Sequence, residues 1–298
     1  MKIVAAVVTY NRCALLERCL DQLAAQTRAP DEVLVINNAS TDGTLQMLAS
    51  RPVRVISQPN LGSAGGWHRA IAHALEHGFD AVWLMDDDGF PDSAALGQLE
   101  DVLAGDFVCA SSVVVHEDEP DRFVFPFPLL NAGGNPVLLA RRRKLRTVTE
   151  LKTTSPEGRY PFAHLFNGAL ISTRAIRDIG NVERRYFMFG DEVDYFLRLS
   201  RIGKVLSITD AIHRHPDVSR RALTSMKFYY YIKNTIIINH RYLDLALLRD
   251  ALTVGVALWR VARRNGVTSA LAYVAGSDAA CLYRAIIRGA CGQLGKDF

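Results

Sequence analysis

Over roughly its first 115 residues the chain alternates short apolar runs with helix-patterned stretches, and this rhythm restricts it to one class of fold. Strands are predicted at Ile3–Val8, Glu32–Ile36, Val53–Ser57, Ala81–Met85 and Val108–Val115, with helices at Ala14–Gln26, Thr44–Ala49, Gly65–His77 and Ser93–Leu103 between them. Such a repeat implies a mostly parallel sheet joined by right-handed crossovers and flanked by helices. Ligands of these sheets bind beyond the carboxyl ends of the strands. Polar clusters follow four of the strands: Thr9-Tyr10-Asn11-Arg12, Asn37 to Gly43, Asn60 to Gly66, and Asp86-Asp87-Asp88. One cleft is expected to collect all four.

Composition agrees with a globular domain and narrows the partners. With 298 residues, 49% of them hydrophobic, the chain can bury a full core. Its net charge of +4 is too small an excess for a dedicated nucleic-acid binder, so no nucleic-acid partner is expected, though an anionic partner suits it. Cys13, Cys19, Cys109, Cys281 and Cys291 are scattered without C-x-x-C spacing, which argues against a disulfide framework or a thiolate zinc site and fits a reducing cytoplasm. The apolar start reaches a polar turn with no small-residue cleavage site, so it reads as a first strand rather than a signal peptide. The run from Ala251 to Trp259 falls far short of the roughly 20 residues that span a bilayer, and no membrane-crossing helix is expected.

From Glu117 to Pro161 the pattern is irregular and centres its charge on Arg141-Arg142-Arg143-Lys144, as in a loop insertion with short strands. Order returns with a strand at Asn167–Ser172, a helix from Arg174 to Ile179, and a strand at Val205–Thr209 leading to His213-Arg214-His215. From Met226 onward the chain reads as helical, and residues 241–298 carry eight Lys and Arg against four Asp.

Three clusters carry chemistry. Massing Asp86, Asp87 and Asp88 on one turn is costly without a counter-ion, and a bound Mg²⁺ or Mn²⁺ removes that cost; a solvated turn capping the next helix is the plainer alternative. Asp86 and Asp88 point the same way if the segment is extended and can share one ion. Gly190-Asp191-Glu192-Val193-Asp194 places acids at a helix start, where they either cap the helix or supply a general base to an acceptor hydroxyl. His213 and His215 alternate on an extended segment, and His213, nearer the strand, is the expected third metal ligand. Asn60 to Gly66 is a glycine-rich turn into a helix, without the Lys-Ser/Thr of a P-loop or the spacing of a dinucleotide fingerprint.

Taken in order, Val8-Thr9-Tyr10-Asn11-Arg12, Asn37 to Gly43, Asn60 to Gly66, Asp86-Asp87-Asp88 and Gly190-Asp191-Glu192 resemble family 2 glycosyltransferases over about residues 1–240. The stretches Asn60 to Trp67, Trp83 to Asp88, Phe187 to Tyr195 and Tyr230 to Asn234 look most like the galactofuranosyl- and rhamnosyltransferase branch. The resemblance implies a GT-A fold, a nucleoside-diphosphate sugar donor and an inverting single displacement. The resemblance implies Thr9, Tyr10, Arg12, Asp42 and Asp86 around the nucleotide-sugar, where Asn38, Asn60, Gly65, Gly66, Trp67 and Asp87 are expected as well. Asp86, Asp88 and His213 hold Mn²⁺ or Mg²⁺, and Glu192, with Asp191 as rival, is the base. Phe166, Asn167, Gly168 and Asp194 are expected around the acceptor. For the rings of Trp67 and Phe166, core packing is the competing reading.

The implied organisation is a catalytic domain over residues 1–225, its nucleotide-sugar half ending near 115 and its acceptor half running to 225, followed by a helical, membrane-associating region at 226–298. Three aspartates in place of Asp-Gln-Asp favour UDP-galactofuranose over dTDP-rhamnose. The expected acceptor is a growing glycan of cell wall or O-antigen, or a polyprenyl-linked one. The basic run and basic helices would draw the enzyme from the cytoplasm to the anionic inner face of the membrane. Oligomeric state is left open. A sugar nucleotidylyltransferase is the rival of another class, but it would need a catalytic Lys near the first strand, where only Arg12 stands; a lectin-like copy would have lost its carboxylates.

Overall fold

A computed structural model describes residues 1–218 and 223–298. The chain opens with β1 (Ile3–Thr9), α1 (Cys13–Ala24), β2 (Glu32–Asn37), α2 (Thr44–Ala49), β3 (Arg54–Ser57), α3 (Gly62–Glu76) and β4 (Ala81–Asp86). It continues with β5 (Phe90–Pro91), α4 (Ala95–Leu103), β6 (Phe107–His116), β7 (Arg122–Pro128), β8 (Lys144–Thr147), α5 (Val148–Thr154), β9 (Arg159–Tyr160), β10 (Asn167–Ser172) and α6 (Thr173–Ile179). The helix α7 (Asp191–Leu199), the strand β11 (Lys204–His215) and the helices α8 (Ser225–Tyr242), α9 (Ala246–Asn265), α10 (Val267–Ala275) and α11 (Ala279–Ala290) complete the elements.

The main sheet runs β3-β2-β1-β4-β10-β6-β11-β5. The strands from β3 to β4 are mutually parallel, as the alternating rhythm predicts, whereas β10 is antiparallel to both β4 and β6. Strand direction is invisible in hydrophobic periodicity, so a strand arriving from the irregular insertion could not be oriented from sequence. Every residue of β1 is buried because both faces of the sheet are covered. Ile3, Ala5 and Val7 join Leu16, Leu20 and Leu23 of α1 and Leu96 and Leu99 of α4 in one core. Val4, Ala6 and Val8 face the other way, toward α3.

Within 117–161 the sequence predicts loops and short strands, and α5 is the addition. Thr147 caps it by accepting from the Glu150 N–H at 3.0 Å, a Thr-x-x-Glu start signal present in the chain.

Two compact units emerge. The first comprises Met1–Pro128, Lys144–Arg184 and Tyr195–Asp217; the second comprises Leu129–Arg143, Arg185–Asp194 and Val218–Phe298. The second has its own core of Phe228, Tyr229, Tyr230, Ile232 and Ile236 with Ala257, Val261, Tyr273 and Leu282. Among the described residues no single helix is long and apolar enough to cross a membrane; α10 and α11 meet that test only as a pair bent by 63°.

The glycine-rich stretch is helix rather than turn: α3 begins at Gly62, and Gly65 and Gly66 are buried. A Cβ on Gly66 would lie 2.5 Å from Val8 Cγ1, and one on Gly65 would collide with Leu61 Cβ. These two glycines let α3 press against β1 and its own entry loop. Gly66→Ala is therefore expected to destabilise the fold by about 1–3 kcal/mol, read as a shift in the urea-unfolding midpoint.

Candidate active site

Hydrogen bonds stitch the four polar loops together at the carboxyl ends of β1 to β4. Asn11, in the left-handed region at φ 53°, accepts from the Thr41 N–H at 2.7 Å, and Asp42 accepts from the Cys13 N–H at 3.1 Å. Asn38 donates to the Gly62 carbonyl at 3.2 Å and accepts from Gln58 at 2.8 Å. Asn60 accepts from the Gly62 N–H at 3.0 Å. Asn38, Asn60 and Asp42 thus shape the loops, while Tyr10 is 47% exposed.

The acidic turn after β4 is held from β1. Asp87, 3% exposed, accepts from Thr9 Oγ1 at 2.7 Å and from Arg12 Nη1 at 2.9 Å, and the same Nη1 lies 2.8 Å from Asp88 Oδ2. Burial pushes the Asp87 carboxyl above the usual carboxylate range, while Arg12 and Thr9 pull it back. A counter-ion for the massed carboxylates is therefore built into the chain, in the Arg12 guanidinium. Asp86 is less buried than its two neighbours, and its N–H donates to the Phe166 carbonyl at 2.8 Å.

Strand β5 pairs with β11 in the register His213 to Pro91, and Arg214 grips Asp92 through two bonds of 2.6 and 2.9 Å, so both histidines run beside the acidic turn. The imidazole facing Asp88 is His215, whose Nε2 stands 3.0 Å from Asp88 Oδ1 and whose Nδ1 is 2.7 Å from the Pro216 carbonyl. His213 is sealed in: Nε2 packs against Gly89, a Cβ on Gly168 would sit 3.1 Å from Nδ1, and neither nitrogen has a hydrogen-bond partner among the described residues. Burial pushes its pKa down to about 3. Among the described residues no three carboxylate, imidazole or thiol groups form a ready-made metal cage. The expected trio of Asp86, Asp88 and His213 does not converge, because Gly89 and Gly168 clasp His213 and Asp88 turns toward His215.

Two expected sugar contacts are also core. Trp67 is fully buried and stacks on Phe166 with centroids 4.6 Å apart, so its ring face is covered by protein. Gly168 has φ 93°, and the buried Asn167 Oδ1 has no hydrogen-bond partner among the described residues.

The acids at 190–194 lie in the helical unit. Asp191, Glu192 and Asp194 occupy the first turn of α7, where the helix dipole favours negative charge. Asp194, expected at the acceptor, is 2% exposed and accepts from the hydroxyls of Tyr242 at 2.7 Å and Tyr186 at 3.2 Å, which makes it a structural anchor. Asp191 is buried and Glu192 partly exposed.

The mostly parallel sheet flanked by helices, with the acidic turn at its carboxyl edge, is a fold of the GT-A type. The sequence pattern of glycosyl transferase family 2 matches residues 5–155. A galactofuranosyltransferase of Mycobacterium tuberculosis is 37% identical over 227 residues, covering 71% of this chain and 69% of that protein. An N-acetylglucosaminyl-diphospho-decaprenol L-rhamnosyltransferase of the same organism is 31% identical over 214 residues, covering 66% and 69%. A mannosyltransferase from Pyrobaculum calidifontis, solved in complex with GDP-Man and Mn²⁺, superposes with a TM-score of 0.59 at 17% identity over 98% of this chain and 86% of its own. The chain belongs to glycosyl transferase family 2 and is a glycosyltransferase similar to the galactofuranosyl- and rhamnosyltransferase branch.

Proposed function

We propose that the protein transfers galactofuranose from UDP-galactofuranose to a hydroxyl of a glycan or polyprenyl-linked acceptor, by a single displacement that inverts the anomeric carbon. The 37% identity to a galactofuranosyltransferase, against 31% to a rhamnosyltransferase, carries the choice of donor. Transfer of rhamnose from dTDP-rhamnose is the second reading, favoured by that second relative.

In this mechanism a carboxylate at the start of α7 takes the acceptor proton as the acceptor oxygen bonds to C1. The C1–oxygen bond to the diphosphate breaks, and its electron pair leaves with UDP. Partial exposure supports Glu192 over the buried Asp191 as base. Tyr10 and the Asp42 loop face the nucleoside, and Asp86 faces the sugar diphosphate.

The donor set suits a divalent cation. At 2.7 Å from a carbonyl, His215 Nδ1 must be the N–H donor, so in a neutral ring Nε2 turns a lone pair toward Asp88 Oδ1, 3.0 Å away. Two acceptors facing each other want a cation or a proton between them. Asp88 and His215 would hold the ion, with His215 in place of His213, and Mn²⁺ accepts both donor types. Such an ion supplies charge neutralisation to the leaving diphosphate.

Membrane association belongs to the same proposal. Leu247, Trp259, Val267, Leu271, Tyr283 and Ile287 are exposed on α9, α10 and α11, beside Arg263, Arg284 and Arg288. These features support a peripheral enzyme on the cytoplasmic, anionic face of the membrane.

Incubation with each donor tests the assignment: UDP release from UDP-galactofuranose with Mn²⁺, and none with EDTA, is expected, while turnover of dTDP-rhamnose alone overturns it. Asp88→Ala should abolish metal-dependent turnover. His215→Ala should raise the Mn²⁺ concentration for half-activation by about 10–100-fold, whereas His213→Ala should lower stability instead; the reverse pattern returns the ligand role to His213. Cosedimentation with anionic but not zwitterionic vesicles is expected, and binding to neither removes the membrane reading.

A further inference from the structure

The segment leading into α7 is conformationally unusual, and within the helical unit Asn234 of α8 bonds it directly. Phe187, Phe189 and Gly190 all lie at positive φ, at 66°, 57° and 83°. Bulky residues rarely adopt this region and persist there only when their surroundings over-determine them. Asn234 supplies that determination. Its Nδ2 donates to the carbonyls of Tyr186 at 3.0 Å, Met188 at 2.9 Å and Phe189 at 2.9 Å. Its Cβ also sits where Gly190 must lack one, 2.9 Å from the position such an atom would take.

Lys233, the neighbouring residue, is fully buried and bonds the segment 295–297: Nζ donates to the Gly295 carbonyl at 2.9 Å and to Asp297 Oδ1 at 2.7 Å. Asp297 also accepts from the Tyr229 hydroxyl at 2.9 Å, and its N–H donates to the Tyr230 hydroxyl at 2.9 Å. That segment returns to the same loop, because the Gly295 N–H donates to the Arg185 carbonyl at 2.8 Å and Lys296 Nζ lies 4.9 Å from the Phe187 ring centroid.

We propose that Asn234 is a positioning residue for transfer, clamping the 186–190 loop so that the acids at the start of α7 are presented in one fixed place, and that Lys233 with Asp297 is a second latch on the same loop. This rests on the reading of Glu192 or Asp191 as base. Neither Asn234 nor Lys233 touches substrate in this role. A fixed start to α7 matters because displacement of a reacting group by about 1 Å can cost on the order of 100-fold in rate.

The test compares Asn234→Ala and Asp297→Asn with Asp191→Asn and Glu192→Gln, all corrected for folded protein by circular dichroism. UDP release is followed from UDP-galactofuranose, or dTDP release from dTDP-rhamnose if that is the donor turned over. Asn234→Ala should lower kcat by about 10–100-fold with the donor KM nearly unchanged, and Asp297→Asn should move kcat the same way by less. A merely structural role would lower Tm and leave kcat per folded molecule at the wild-type value; that result overturns the clamp. If Asn234→Ala fails to fold, Asp297→Asn carries the test, and a wild-type kcat there overturns the latch. Wild-type kcat in both acidic variants overturns the base assignment itself, and the positioning role falls with it. Loss in one of them beside a normal Asn234→Ala rejects the clamp alone.

Discussion

The link from β1 to the acidic turn is the interaction on which the site is built. Three consecutive carboxylates at the end of β4 would repel one another and, buried, would pay heavily in desolvation. Thr9 and Arg12 make the arrangement tenable by bonding Asp87 and bridging to Asp88. Because Thr9 ends β1 and Asp86 ends β4, and the two strands are hydrogen-bonded neighbours, the link costs no loop closure beyond that already made by the sheet. The central acid is thereby tied to β1 through both Thr9 and Arg12.

From that anchor the other loops follow. Asn11 and Cys13, flanking Arg12, reach Thr41 and Asp42 of the second loop, and Asn38 of the second reaches Gly62 of the third. On the far side, β5 and β11 lay His215 against Asp88. The polar residues of these loops therefore include those that hold the loops in place, such as Asn38, Asn60 and Asp87, and those that are exposed, such as Tyr10. Residue type alone does not separate the two groups, since an asparagine serves equally well as ligand or brace.

Several readings changed because burial and direction are properties of the folded chain. The spacing of His213 and His215 says that both face one way, but which meets a carboxylate depends on where β5 closes on β11. Glycine at 65 and 66 is equally consistent with a phosphate cradle and with tight packing, and only the closeness of Val8 and Leu61 reveals the packing demand. Trp67 and Asp194 look available as single letters and prove to be interior, one stacked on Phe166 and the other bonded by two tyrosines. Asn234 carries no local signal, because its role lies in three carbonyls more than forty residues away in sequence.

What the sequence determined by itself is the order of strands and helices in the first half, the placement of polar clusters at strand ends, the start of α7 at its acids, and the family. These are local properties: periodicity, turn chemistry and motif order are written within windows of a few residues. The tertiary structure alone decided that β10 runs antiparallel, that residues 129–143 and 185–194 belong with the C-terminal helices, and that Arg12 and His215 are the partners of the acidic turn. Each of these joins residues distant in sequence, and such a pairing is selected by how the whole core packs rather than by any segment's own pattern.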